Sequence, residues 1–489
     1  MYKDKDIRLF KNLSFWVTNI VLSFIKNEEI LALRIVNKEA KAWCQKAYTA
    51  RNIELTKINL KSAQFFQRAV TIEIKHDALK FFNVFKDKFF LDIMKFYSNL
   101  KTLKIDLNET FEVEKKEQII DKITSFKLKN HIEEFRATRS MIKARDLESM
   151  TKTDFLENVS KLCLSMNEIE DTDLAPLVTA KVLRNLKELD LSSNRLTDEG
   201  IEILVSTDVF ENLKSLNISF NKIENKGFKI LSIATSFPGL QCLEVGNNKI
   251  TKKSISDFAM SVNYSSLTKL VLKGNKLKVD GAKELSTASN LKNLEVLDLS
   301  QCRLEDEGCN FLMKSHTLLK NIRTISLENN EIGDYALEIL SKNSHLQNLS
   351  KIYLGWNKIQ DIGLFHLATS NFIKNLVVLN IRANKITEEG INYLKDSDVF
   401  SNLKELIIRD NNLGPQGAKE LSESINMTHL QYLDISYNGI GNEGCKAIAD
   451  SEAFPMLNGL QIYHGNEIKE EYKKYIQKSK TLRNLSTLS

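Results

Sequence analysis

The sequence predicts an α/β solenoid, with parallel strands on a concave face, helices on the convex face and a small all-helical module at the N-terminus. Three observations carry this. A single template, L-x-x-L-x-L-x-x-N-x-L followed by Gly six residues after the Asn, recurs along the chain, for example at 186–200, 213–227, 267–281, 294–308, 376–390 and 430–444. Its Asn column runs Asn167, Asn194, Asn221, Asn248, Asn275, Cys302, Asn330, Asn357, Asn384, Asn411 and Asn438 in steps of 27 residues, with one step of 28 after Cys302. Finally, 489 residues with 42% hydrophobic content and 4 Pro are too apolar for disorder, and a register this regular marks an array growing in one dimension.

Each template position has a physical cause. The x-L-x-L-x core alternates with period two, which predicts a short strand with Leu inward and the x positions outward. Asn follows where the chain turns, and its amide can satisfy backbone groups that the turn leaves unpaired. Cys302 replaces it once, as a small group with a weak donor. The Gly is expected to open a helix such as 200–206, whose Ile201 and Leu204 cover the back of the sheet. The acidic pairs Asp198-Glu199 and Asp306-Glu307 are expected as N-terminal caps and dipole partners of those helices, not as a catalytic carboxylate pair.

A period of 27 to 28 with a strand and a full helix resembles the ribonuclease-inhibitor subtype of leucine-rich repeats, over about two thirds of the chain. The regular repeats occupy 151–456. At 457–489 the template decays, Asn466 falls one place late and a polar helix at 470–480 follows, as expected of a capping repeat. Residues 49–150 carry degenerate early copies, with strand-like pieces at 52–55, 70–74, 100–108 and 132–140. The Phe-rich segment 78–97 between them is expected as a buried convex-side helix in preference to a membrane-surface one.

Residues 1–48 have no template. Two amphipathic patterns meet at Lys26-Asn27-Glu28-Glu29, one presenting Val17, Val21, Phe24 and Ile25, the other Ile30, Leu33 and Val36. The order Leu13, then Val21-Leu22-Ser23-Phe24-Ile25, then Ile30 through Lys38 resembles an F-box without a gap. Ser14 stands where that family has Pro, and Ala40 where it has Trp, with Trp43 one turn later; these departures bear on adaptor affinity more than on fold. The resemblance implies that Leu13, Val21, Ile25, Leu31 and Val36 face a Skp-type adaptor or pack the motif. The other reading of the same helices is a cap over the first repeat's open edge.

Along the concave face the early outward positions are small or acidic: Glu188, Asp190 and Ser192, then Ser215, Asn217 and Ser219, then Glu244 and Gly246. The late ones are aromatic and basic. Tyr353, Trp356, Arg382, Arg409, Tyr432, Asp434, Tyr437 and Tyr463 are the expected partner-binding residues, because Tyr, Trp and Arg bury large areas while keeping polar ends.

Other chemistries find little support. A net charge of +6, from 69 basic against 63 acidic residues, argues against nucleic acid as a partner. Six scattered cysteines without a C-x-x-C pair read as reduced thiols with no metal, and seven His far apart in sequence offer no catalytic base. No phosphate loop, dinucleotide fingerprint, zinc-protease motif or nucleophile elbow occurs, so neither an enzyme nor a cofactor is expected. There is no apolar run of signal-peptide or membrane-spanning type, which points to the cytoplasm or nucleus and to no membrane.

F-box and leucine-rich-repeat proteins combine these two parts. That resemblance implies a substrate-recognition subunit of an SCF-type cullin-RING ubiquitin ligase, with substrate on the concave face. A non-catalytic repeat scaffold is the alternative. A Ran-type GTPase-activating protein ranks third, since that family typically carries an acidic C-terminal stretch and this chain ends in the basic sequence 470–489.

Overall fold

A computed structural model of the chain describes residues 71–75, 102–106, 120–121, 124 and 132–489. The adaptor-facing positions Leu13, Val21, Ile25, Leu31 and Val36, the strand-like piece at 52–55 and the Phe-rich segment 78–97 lie outside the described residues. The described residues fall into two compact units, one formed by those up to 194 with 207–213, the other by 195–206 with 214–489.

In the first unit, strands β1 (Thr71–Lys75), β2 (Thr102–Asp106), β3 (Glu134–Thr138), β4 (Lys161–Cys163) and β5 (Glu188–Asp190) pair in chain order, all parallel. Ile72, Leu103, Phe135, Leu162 and Leu189 share one register row. The early pieces read from sequence at 70–74, 100–108 and 132–140 are thus strands, although their spacing departs from the later period. Behind β3, the buried Phe135 meets Phe155 edge to face with ring centroids 5.2 Å apart. Leu147 and Met150 of the helix Ala144–Thr151 complete that core.

The second unit continues the pattern with β6 (Ser215–Asn217), β7 (Cys242–Glu244), β8 (Lys269–Val271), β9 (Val296–Asp298), β10 (Thr324–Ser326), β11 (Lys351–Tyr353), β12 (Val378–Asn380), β13 (Glu405–Ile407), β14 (Tyr432–Asp434), β15 (Gly459–Gln461) and β16 (Thr487–Leu488). Neighbours pair in parallel, and the central residue of every strand from β6 to β15 is no more than 1% exposed. β16 is a finding the sequence reading lacks: beyond the polar helix Glu470–Gln477 the chain adds one more strand against β15.

Helices such as Asp198–Val205, Asn225–Ile233 and Lys252–Met260 return the chain from one strand to the next, and bury Ile201 and Leu204, then Phe228 and Leu231, then Ile255 and Phe258. Phe228, Phe258 and Tyr264 form a continuous aromatic run with centroids 5.1 and 5.2 Å apart, and the buried Tyr264 hydroxyl donates to the Leu231 carbonyl.

The Asn column works as a ladder between repeats. Asn248 accepts the Ile223 N–H on Oδ1 (3.1 Å) and donates from Nδ2 to the carbonyls of Ile218 (3.1 Å) and Val245 (3.0 Å). Asn275, Asn384 and Asn411 repeat the scheme, and Asn438 donates likewise to the Ile408 and Ile435 carbonyls while accepting the Asn411 N–H (3.2 Å). Cys302 keeps only the donor half, through Sγ to the carbonyls of Leu272 (3.4 Å) and Ser300 (3.5 Å). Asn466, one place late in sequence, is a full rung: it accepts from Asn438 N–H (2.7 Å) and donates to Ile435 and Ile462. Buried polar groups are costly unless paired, so this column is fixed by desolvation.

The acidic residues stand in the first turns of their helices as expected, and they also reach into the next repeat. Asp198 accepts the Glu224 N–H (2.7 Å), Asp306 that of Gly333 (2.7 Å), Asp334 those of Gln360 (2.7 Å) and Gly363 (3.0 Å), and Asp361 those of Thr387 (2.8 Å) and Gly390 (3.0 Å). Each carboxylate caps the helix of the following repeat in addition to any effect on its own. The recurrent Gly has its cause here. A Cβ at Gly227, Gly363 or Gly390 would run into the Oδ1 of Asp198, Asp334 or Asp361. The helix itself begins at Asp198, ahead of Gly200, where Thr197 caps Glu199 N–H (3.3 Å).

Candidate functional site

The strand face of the second unit changes character along its length. At β6–β9 polar side chains are occupied with one another: Asn217 accepts from Ser219 N–H (3.0 Å), Ser219 Oγ from Gly246 N–H (3.1 Å), and Glu244 pairs with Lys269 (2.6 Å).

From β10 onward larger side chains take over. Arg382, following β12, reaches Glu328, following β10, with N···O 3.2 Å; Asn380 Nδ2 donates to the same carboxylate (3.2 Å). The guanidinium stem crosses Gly355, where a Cβ would collide with it, so glycine is required for that close approach. Tyr353 and Tyr432 stand half-buried on β11 and β14. Burial, then the nearby Glu405 and Glu328, raises the Tyr353 phenol; burial, then Asp434 and Glu405, raises that of Tyr432, so both stay protonated donors. Neither hydroxyl has a hydrogen-bond partner among the described residues.

The residue just before each Asn has left-handed backbone. Trp356 (φ 58°), Ala383 (φ 51°), Asp410 (φ 60°) and Tyr437 (φ 55°) form one rim of the late face, and Phe220 (φ 56°) holds the same place earlier. Bulky aromatics are uncommon at such φ, yet Trp356 is 55% and Tyr437 45% exposed. Arg409 lies over the Tyr437 ring, 4.5 Å from its centroid, and the His464 ring runs nearly parallel to that of Tyr437, with planes 15° apart and centroids 6.4 Å apart.

Two expected face residues are used internally. Asp434 is buried and accepts the Ser436 N–H (3.0 Å) in its own turn. Tyr463 donates its hydroxyl to the Lys473 carbonyl (3.3 Å) of the terminal helix. The remaining six, Tyr353, Trp356, Arg382, Arg409, Tyr432 and Tyr437, lie on strands β11–β14 or the turns after them. His464 joins them beside the Tyr437 ring; Glu328 and Glu405 also join them, and were missed because acidic residues carry no aromatic signal in the sequence.

Elsewhere, His316 and His345 from consecutive repeats touch through their ring nitrogens, with centroids 4.3 Å apart, a juxtaposition that sequence spacing hides. Among the described residues no group of three or more His, Cys, Asp or Glu side chains could hold a metal. Cys163, Cys242, Cys302, Cys309 and Cys445 are free thiols, and burial pushes Cys302 and Cys309 up to about 12. Among the described residues no helix is long and apolar enough to cross a membrane.

A family model described as Leucine Rich repeat matches residues 182–205, 211–229, 290–313, 345–368, 401–422 and 426–449. No curated protein sequence matches the chain. Among solved structures, an internalin (inlF) from Listeria monocytogenes str. 4b F2365 is similar with TM-score 0.43 and 21% identity, covering 71% of this chain and 94% of that one. A chain of the Rad7 and Elc1 complex in yeast is similar with TM-score 0.46 and 14% identity, covering 95% and 98%. Template, strand register, Asn ladder and family match agree: the chain carries leucine-rich repeats.

Proposed function

We propose that this protein is a non-catalytic interaction receptor that holds a partner protein on the late strand face. In this reading it serves in the cytoplasm or nucleus as the substrate-recognition subunit of an SCF-type cullin-RING ubiquitin ligase. Its repeats are of the ribonuclease-inhibitor-like subtype, and residues 1–48 form the F-box-like module that engages a Skp-type adaptor. The supporting observation is the cluster on β11–β14: exposed Trp356 and Tyr437, the stacked Arg409, and two phenols without hydrogen-bond partners. Such residues dominate binding energy when an interface covers them, and add little to the stability of the uncovered chain.

Co-purification with a Skp-type adaptor tests the ligase part. Wild type should bind and a Val21→Asp, Ile25→Asp variant should not; binding by neither leaves a repeat scaffold. A Trp356→Ala, Tyr437→Ala variant tests the face. It should lose partner affinity tenfold or more, and retention of full affinity refutes the location.

A further inference from the structure

The late face, taken as the partner site proposed above, contains one cation prepared for a ligand. Arg409 is exposed, and its guanidinium lies over the Tyr437 ring at 4.5 Å. That ring is itself fixed: it runs nearly parallel to His464 at 6.4 Å between centroids, and a Cβ at Gly465 would collide with it. A guanidinium is permanently charged and carries five N–H donors in a planar fork. Among the described residues, Arg409 has no ion pair and no side-chain hydrogen bond. Arg382, the other guanidinium of this face, is committed to Glu328. The Trp356 indole N–H, a pure donor, also lacks a partner.

We propose that Arg409 anchors a carboxylate, the side chain of an Asp or Glu in an extended segment of the partner protein, while Trp356 and Tyr437 grip apolar residues of that segment on either side of the acid. A single fork suits a single carboxylate, bound through two parallel N–H···O contacts. A phosphoryl group carries up to two charges and is ordinarily held by an Arg cluster. Here the second Arg is occupied, and Asp410, the next residue, repels a dianion. Glu405 opens β13, four residues before Arg409, and leaves the Arg409 end of the face to the anion.

A random peptide library displayed on phage, panned against the full chain, tests the anchor. Arg409→Glu and the Trp356→Ala, Tyr437→Ala variant are panned in parallel, each first matched to wild type in urea midpoint. Wild type should enrich peptides with Asp or Glu at one fixed position beside an apolar residue, and Arg409→Glu should shift that position to Lys or Arg. In the leading peptide, changing the acid to its amide should weaken binding about tenfold to a hundredfold, Arg409→Lys should fall between, and phosphoserine in place of the acid should bring no gain. Peptides that need Trp356 and Tyr437 but show no acidic position, or ignore Arg409→Glu, overturn the carboxylate anchor and leave the surface standing. Peptides that bind the aromatic double variant as well as wild type overturn the surface itself. A tenfold gain from phosphoserine replaces the carboxylate by a phosphate. Absence of any enrichment overturns the extended acidic segment as occupant.

Discussion

Two columns of side chains, one residue apart, run through the second unit with opposite characters. The Asn column is nearly uniform from Asn221 to Asn466, buried at most repeats and half-buried at Asn357 and Asn384, each member bridging two repeats. The column just before it holds Phe220, Asn247, Gly274, Gln301, Asn329, Trp356, Ala383, Asp410 and Tyr437, all with positive φ. The backbone is the same at every repeat, so the difference lies in desolvation. A buried amide that must satisfy one N–H and two carbonyls admits hardly any other residue, whereas an exposed side chain is free to vary. Architecture resides in one column, and its neighbour is the one proposed for recognition.

Substitutions can break or sharpen this contrast. Asn411→Ala should have the largest effect, since it orphans the buried Ile386 N–H and takes one of two amide donors from each of the Ile381 and Ile408 carbonyls, which keep Asn384 and Asn438. A loss of about 2–4 kcal/mol in urea unfolding is expected, and a neutral result would mean that the ladder does not hold the repeats. Asp361→Ala removes the cap on Thr387 and Gly390 N–H. Those groups are partly reached by water, so about 1 kcal/mol is expected, measurable as a lowered urea midpoint. Trp356→Gly should change stability least, by less than about 1 kcal/mol, because glycine relieves the left-handed backbone while adding freedom to the unfolded chain. The same variant should still weaken partner binding. A large stability loss there would make Trp356 architectural and remove it from the recognition column.

Much of this was legible in the sequence, for identifiable reasons. The inward Leu rows and the Asn register follow from a period that burial enforces, while the early strands around Ile72, Leu103 and Phe135 were legible from their β-type composition although their spacing departs from that period. Individual side-chain commitments were not legible. Asp434 and Tyr463 occupy outward template positions, yet one folds back on Ser436 and the other reaches Lys473. The period assigns a column and leaves open whether a polar group bonds to its own turn. Likewise Asp198 and Asp306 looked like caps of their own helices alone, because their partners 26 and 27 residues on become neighbours only after stacking.

Those carboxylates also bear on how such a chain can lengthen. Every helix start from Glu224 to Thr387 that is closed by an upstream Asp depends on a residue encoded in the preceding repeat. A duplication of one whole period, begun at any point within it, reproduces both donor and acceptor and leaves each junction complete. A duplication of half a period supplies one without the other. The bond across the boundary therefore makes the period the smallest stretch that can be copied or deleted without a mismatch, and such a chain grows or shrinks in whole repeats.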